Sequence, residues 1–161
     1  MIYMEEFRRR KPNRLKTYDY SKAGRYFITI CSENRMKIFG SVETADGNAN
    51  LALSAVGQTI ENIISMIPKV YSGVEVDKYV IMPNHVHMIV TITSENDQNR
   101  PAPSVSRIVQ QLKSAAVKQS GRAIWQKSFY DHIIRGEEDY RFMRESIETN
   151  PIRWNEDEYY V

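Results

Sequence analysis

Nine consecutive residues, HVHMIVTIT at 85–93, constrain this chain more than any other stretch. Successive side chains on a strand point to opposite faces, so Val86, Met88, Val90 and Ile92 share one side. His85, His87, Ile89, Thr91 and Thr93 share the other. A wholly apolar side belongs against helices, which makes this a sheet strand with one face packed and two imidazoles on the reverse. The run VEVDKYVIM at 74–82 comes just before it, joined through Pro83-Asn84, a tight connection that predicts an antiparallel pair.

The remaining elements can be placed around that pair. RYFITIC at 25–31 is aromatic and β-branched, bounded by Gly24 and the polar SENR, and reads as a first strand. Residues 39–50, rich in Gly, Asn and Asp, read as a loop with room for a short hairpin. Val56, Ile60, Ile63, Ile64 and Ile67 recur at helical spacing over 54–67, and Pro68 is expected to end that helix. Ser104 is a fitting N-cap for a second helix to about 120, its apolar face Val105, Ile108, Val109, Leu112 and Ala116, with Gly121 as the stop. FYDHIIR at 129–135 reads as a last strand. A helix over 137–149 follows, with acids in its first turn and Asn150-Pro151 at its end. The order β-α-β-β-α-β followed by α predicts an α+β fold, a ferredoxin-like antiparallel sheet with an additional C-terminal helix.

With 161 residues the chain suits one domain, and no apolar run approaches the roughly 20 residues of a bilayer span. The N-terminal MIYMEEFRRR mixes acids and bases where a signal peptide needs an apolar core, and the single Cys31 cannot form an internal disulfide. A cytoplasmic protein is the expectation. Basic residues crowd positions 8–25: Arg8, Arg9, Arg10, Lys11, Arg14, Lys16, Lys22 and Arg25 stand against Asp19 alone. Such a segment is either a solvated tail or a phosphate-binding arm, with Tyr18 and Tyr20 available to stack on bases. The acidic cluster at 156–158 offers an internal counterweight. We therefore divide the chain into a basic arm (1–24), one domain (25–154) and an acidic tail (155–161).

His85 and His87 have Cβ atoms about 6–7 Å apart on one strand face, close enough to share a metal ion. They could equally be two half-exposed polar groups on a solvated sheet. The chain has only three histidines, and the third, His132, lies on the last predicted strand, so a three-histidine cluster is geometrically possible. A histidine bonded within the sheet is the simpler account of His132.

The phrase YVIMPNHVHMIV, followed by WQKSFYDHIIRGEEDYRFMRESIETNPIRW, resembles the REP-associated tyrosine transposases and the related single-strand insertion-sequence transposases. The resemblance runs from about 25 to 154, and His85-Val86-His87 fills the histidine-hydrophobe-histidine motif of these HUH endonucleases. It implies a metal-dependent endonuclease and strand transferase acting on single-stranded or hairpin DNA through a covalent 5′-phosphotyrosine. It also implies Mg2+ or Mn2+ as the ion and Tyr140 as the helix-borne nucleophile. Phosphoryl transfer needs charge neutralisation on the non-bridging oxygens and an in-line nucleophile, which such a site supplies. Without the resemblance, Tyr140 would read as an amphipathic residue fastening the helix to the sheet.

One position departs from the insertion-sequence pattern. Arg144 stands where those relatives carry a glutamine that completes the metal shell. That leaves His132, then Glu137 or Glu148, as candidates for the third ligand, and Arg144 itself as a phosphate contact or as a partner for Glu148. Arg107, Lys113 and Lys118 on the second helix join Arg8, Arg9, Arg10, Lys11 and Arg14 as candidate DNA-binding residues; a solvated helix face is the alternative. Trp125 and Trp154 suit base stacking or core packing. The relatives include monomers and dimers, so a homodimer is possible. Two other functions fit the residues: a nucleic-acid-binding module of the same fold that does not cleave, and a zinc enzyme built on His85, His87 and His132.

Overall fold

The computed structural model describes residues 23–93 and 103–161. Residues 1–22 of the basic arm, with Arg8, Arg9, Arg10, Lys11 and Arg14, lie outside the described residues. Strand β1 spans Gly24–Cys31, and a hairpin of β2 (Gly40–Ala45) and β3 (Asn48–Leu53) follows. Helix α1 (Ala55–Val70), strands β4 (Val74–Met82) and β5 (His85–Ile92), helix α2 (Val105–Ser120), strand β6 (Tyr130–Ile134) and helix α3 (Gly136–Thr149) complete the order.

Four strands form one antiparallel sheet in the order β4-β5-β1-β6. The expected α+β class and the antiparallel β4/β5 pair are both present. The segment 39–50 is more ordered than a loop: β2 and β3 pair as a separate two-stranded sheet. Asp46 and Gly47 both take positive φ at the turn (52° and 78°). Asp-Gly is the dipeptide that suits such a turn, because its backbone twist matches that of the flanking strands.

Helix α1 also runs past its expected end, to Val70 with Pro68 inside it. Proline removes one donor, but the Tyr71 N–H still closes the final turn on the Ile67 carbonyl. Burial of Ile64 and Ile67 holds that turn against the sheet. In α2 both predicted ends are realised: the Ser104 side chain accepts from the Arg107 N–H, and Gly121 takes the left-handed conformation at φ 73°.

The alternation of β5 sorts the molecule into two cores. On one face Val86, Met88, Val90 and Ile92 pack with Tyr26, Ile28 and Ile30 under Ile60 and Ile64 of α1 and Val109 and Leu112 of α2. On the other face Phe27, Cys31, Val80, Met82 and Ile89 pack under Met143 and Ile147 of α3, with Trp154 and Tyr159. Residues 155–161 are therefore no detached tail, because Tyr159 is part of this second core. No helix among the described residues is long and apolar enough to cross a membrane.

Candidate metal centre

Both imidazoles project from β5 to the α3 side, yet neither faces solvent. His85 is 0% and His87 4% exposed. Their rings meet edge to face at 4.6 Å, with the Tyr159 ring 4.5 Å from His85 and the Phe27 ring stacked on His87 at 5.1 Å. Burial is the largest influence on both groups and pushes each down to about 3. For His87 the neighbouring His85 adds to the effect while Asp157 opposes it. Both rings are accordingly neutral at pH 7, the form that ligates metals.

The hydrogen bonds orient the first ring. Asn84 donates from Nδ2 to the carbonyls of Tyr159 (2.6 Å) and Arg35 (3.2 Å), leaving its Oδ1 2.9 Å from His85 Nδ1. A carboxamide oxygen only accepts, so Nδ1 carries the proton and Nε2 presents a lone pair. That lone pair faces two more acceptors, Asn150 Oδ1 at 3.3 Å and Asp157 Oδ2 at 3.5 Å. Asn150 in turn donates from Nδ2 to Asp157 Oδ2 at 2.6 Å. Three acceptors converging on one point in a buried site suit a cation. His87 Nδ1 shares a 2.8 Å hydrogen bond with Thr29 Oγ1, which fixes the second ring.

Among the described residues, His85, His87 and Asp157 form the one group of three whose ligand atoms all lie within 4.8 Å of one another. Two imidazoles and a carboxylate fit a first-row divalent ion such as Mn2+; Mg2+, which prefers oxygen, would lean on Asp157, waters and substrate oxygens. A cavity of about 180 Å³ opens beside His87 and Asp157.

The structure keeps the sequence-derived third ligands out of this cluster. His132 shares the sheet face, but its Nε2 donates to the Asp139 carboxylate at 2.9 and 3.1 Å. Asp139 also accepts from the Arg135 N–H, so this pair fastens the first turn of α3 to β6. Glu137 lies 3.5 Å from Arg25, and Glu148 lies 3.3 Å from both Lys78 and Arg144. Asp157 is the carboxylate that stands beside the two histidines instead. Its only sequence signal was the acidic cluster at 156–158, which read as a tail.

Tyr140 is half-buried on α3. Its hydroxyl accepts from Arg144 at 3.0 Å, and the Arg25 guanidinium lies over its ring at 4.3 Å. It does not line the cavity; the α3 residues that do so are Ser146 and Thr149, joined by Asn150. Ser146 is six positions further along, about 9 Å of helix rise. The tyrosine in contact with the histidines is Tyr159, buried and raised above the ordinary phenol range chiefly by that burial.

The candidate DNA-binding residues separate in the same way. Helix α2 packs on the opposite face of the sheet, so exposed Arg107 and Lys118 stand on the layer away from the histidines. Lys113 is half-buried and donates to the Gln126 and Ser128 carbonyls at 2.9 and 2.6 Å, clamping the segment that leads into β6. Burial lowers it from the ordinary lysine range. Arg144 is occupied by Tyr140 and Glu148. Both tryptophans pack: Trp125 against Phe39 at 5.2 Å with its Nε1 donating to the Lys113 carbonyl, and Trp154 against the ring of Tyr160 at 5.3 Å.

No family model matches the chain. It is 31% identical over 172 aligned positions to an uncharacterized protein of Haemophilus influenzae, covering 94% of this chain and 93% of the relative. It is 26% identical over 135 positions to the REP-associated tyrosine transposase of Escherichia coli K12, covering 83% and 70%. In three dimensions it resembles a REP-associated tyrosine transposase bound to a REP hairpin, with a TM-score of 0.65 at 22% identity, over 88% of this chain and 74% of that one. The likeness to that structure shows the fold, and in sequence the chain is similar to REP-associated tyrosine transposases of two bacteria.

Proposed function

We propose that the chain is a metal-dependent endonuclease and strand transferase for single-stranded or hairpin DNA in the cytoplasm, with His85, His87 and Asp157 holding a divalent ion. The observation that carries this reading is the convergence of the His85 Nε2 lone pair, His87 and the Asp157 carboxylate in a buried site. A REP hairpin in the structural neighbour supports hairpin DNA as the substrate class. Bound here, the ion would supply Lewis-acid stabilisation of the non-bridging phosphate oxygens.

The chain's own residues account for the rest. The Tyr140 phenolic oxygen, losing its proton to solvent, forms the new bond to phosphorus. The 3′-oxygen leaves and takes up a proton, giving a 5′-phosphotyrosine and a free 3′-hydroxyl. Arg144 and Arg25 flank that phenol with positive charge, placed to meet a phosphate oxygen. A second reading, a DNA-binding module that does not cleave, is favoured by one observation: the α3 surface at the cavity carries Ser146 rather than a tyrosine.

The test incubates the protein with a labelled single-stranded hairpin, with Mn2+ and with chelator, and looks for a covalent adduct. The expected result is a Mn2+-dependent adduct that disappears in Tyr140→Phe while hairpin binding is retained. An adduct that persists in Tyr140→Phe removes Tyr140 from the mechanism. Binding without adduct or cleavage in the unaltered protein selects the second reading.

A further inference from the structure

We propose that Asn84 is the positioning residue of the metal centre: by locking the His85 tautomer, it keeps the Nε2 lone pair available to a cation held jointly with Asp157. This inference rests on the proposed metal-dependent function and adds a residue to it. The logic is one of donor and acceptor directions. An asparagine amide can be turned either way, and a histidine can carry its proton on either nitrogen. Here both choices are made by the backbone. The Tyr159 and Arg35 carbonyls, at 2.6 and 3.2 Å, accept only, so the Asn84 Nδ2 must face them and Oδ1 must face His85. The Nδ1–H donated to that oxygen spans 2.9 Å, shorter than the 3.3 and 3.5 Å that separate Nε2 from Asn150 and Asp157. The other tautomer would leave Nδ1 as an acceptor against Asn84 Oδ1 at 2.9 Å, in a pair at 0 and 1% exposure, whereas the acceptors around Nε2 stand further off and are the ones a cation would bridge.

Asn84 does this from the connection between β4 and β5, where the Ser32 N–H donates to its own carbonyl at 2.9 Å. The residue preceding the first histidine is thus held by three backbone segments: the end of β1, the turn after it, and the C-terminal segment at Tyr159. Such outer partners typically set metal affinity by about 10- to 100-fold through ring orientation and basicity.

The test uses the full chain and Mn2+ alone. Nitrogen-15 NMR of the imidazoles in metal-free protein at pH 7 is expected to show His85 protonated on Nδ1, and to show a mixture of tautomers in Asn84→Ala, with Mn2+ affinity lower by about 10- to 100-fold. Asn84→Asp loses the two hydrogen bonds to the Arg35 and Tyr159 carbonyls yet keeps an oxygen beside Nδ1, and is expected to retain the Nδ1–H tautomer, which a role confined to packing would not give. Arg35→Ala serves as the control for loosening the C-terminal segment, because the Arg35 side chain donates to the Glu158 carbonyl at 3.3 Å without touching the amide. The inference is overturned if His85 carries its proton on Nε2 in the unaltered protein, or if Asn84→Ala leaves the tautomer unchanged. It is also overturned if Arg35→Ala lowers Mn2+ affinity as far as Asn84→Ala does. Tautomer and Mn2+ affinity are read without DNA, so the inference can fail while adduct formation stands, and adduct formation can fail while the inference stands.

Discussion

Both faces of the central sheet are buried, but by different means. Toward α1 and α2 the contacts are mostly Ile, Val, Leu and Met with Tyr26 and Phe39, held by dispersion and water exclusion, and the strand register adds one buried carboxylate, Asp131, opposite Ile28. Toward α3 the same strands bury Thr29, His85 and His87, with Asn84 at the adjoining turn. Burying such groups costs stability unless every one finds a partner, so this face is held by directed hydrogen bonds. A chain that needed only a second core could have used leucine at 85 and 87. The more expensive face is the one that brings His85, His87 and Asp157 together.

Substitutions on the two faces should therefore fail differently. His87→Leu is expected to reduce Mn2+ affinity beyond the about 100-fold that losing an outer partner costs, while changing stability little, because an apolar side chain replaces a desolvated imidazole. Met88→Ala, one residue along and fully buried, should cost about 2–5 kcal/mol of unfolding free energy and leave Mn2+ affinity intact. Calorimetric titration and urea denaturation read both variants. If Met88→Ala weakened Mn2+ binding as much as His87→Leu, the division between the faces would be wrong.

Acid should separate the faces next. His85 and His87 are held down to about 3 in the fold against about 6.5 unfolded, so the unfolded chain binds more protons between those values. Their contribution to stability is complete above about pH 6.5 and is lost as pH falls toward 3. Urea midpoints taken across that window should fall with acidification, and fall less in the double variant His85→Leu, His87→Leu. Equal slopes would show that other groups govern the acid response.

The smallest effects concern the cations of α2. Lys113→Met is expected to cost about 1–3 kcal/mol, because two backbone carbonyls lose their donor. Lys118→Met, exposed on the same helix, should stay within about 0.5 kcal/mol. If Lys118 meets a DNA phosphate, its loss lowers the slope of log affinity against log salt by about 1, whereas Lys113→Met leaves that slope unchanged.

Local patterns carried much of this architecture. Strict alternation in β5 predicted which residues share a face, and Ser104 and Gly121 marked both ends of α2, because strand parity and helix caps depend on a few neighbouring residues. The β2/β3 hairpin was legible too, in Asp46-Gly47, but the polar composition of 39–50 masked it. What the sequence did not reveal depends on distant parts of the chain meeting. Asp157 reaches the histidines only because Trp154 and Tyr159 pack on the α3 side of the sheet. His132 is claimed by Asp139, which the turn from β6 into α3 brings to it. The side chains that α3 turns toward the cavity follow from the helix's rotation about its axis, and packing decides that rotation.

Cys31 has a practical consequence. It is the chain's only cysteine, is 5% exposed, hydrogen-bonds the Tyr159 phenol, and is raised to about 11 by burial. A thiol in that state is inert to alkylating reagents until its cover moves aside. The protein thus carries a built-in chemical gauge: the rate at which Cys31 is labelled counts how often the segment around Tyr159 lifts from the sheet, with no engineered probe required.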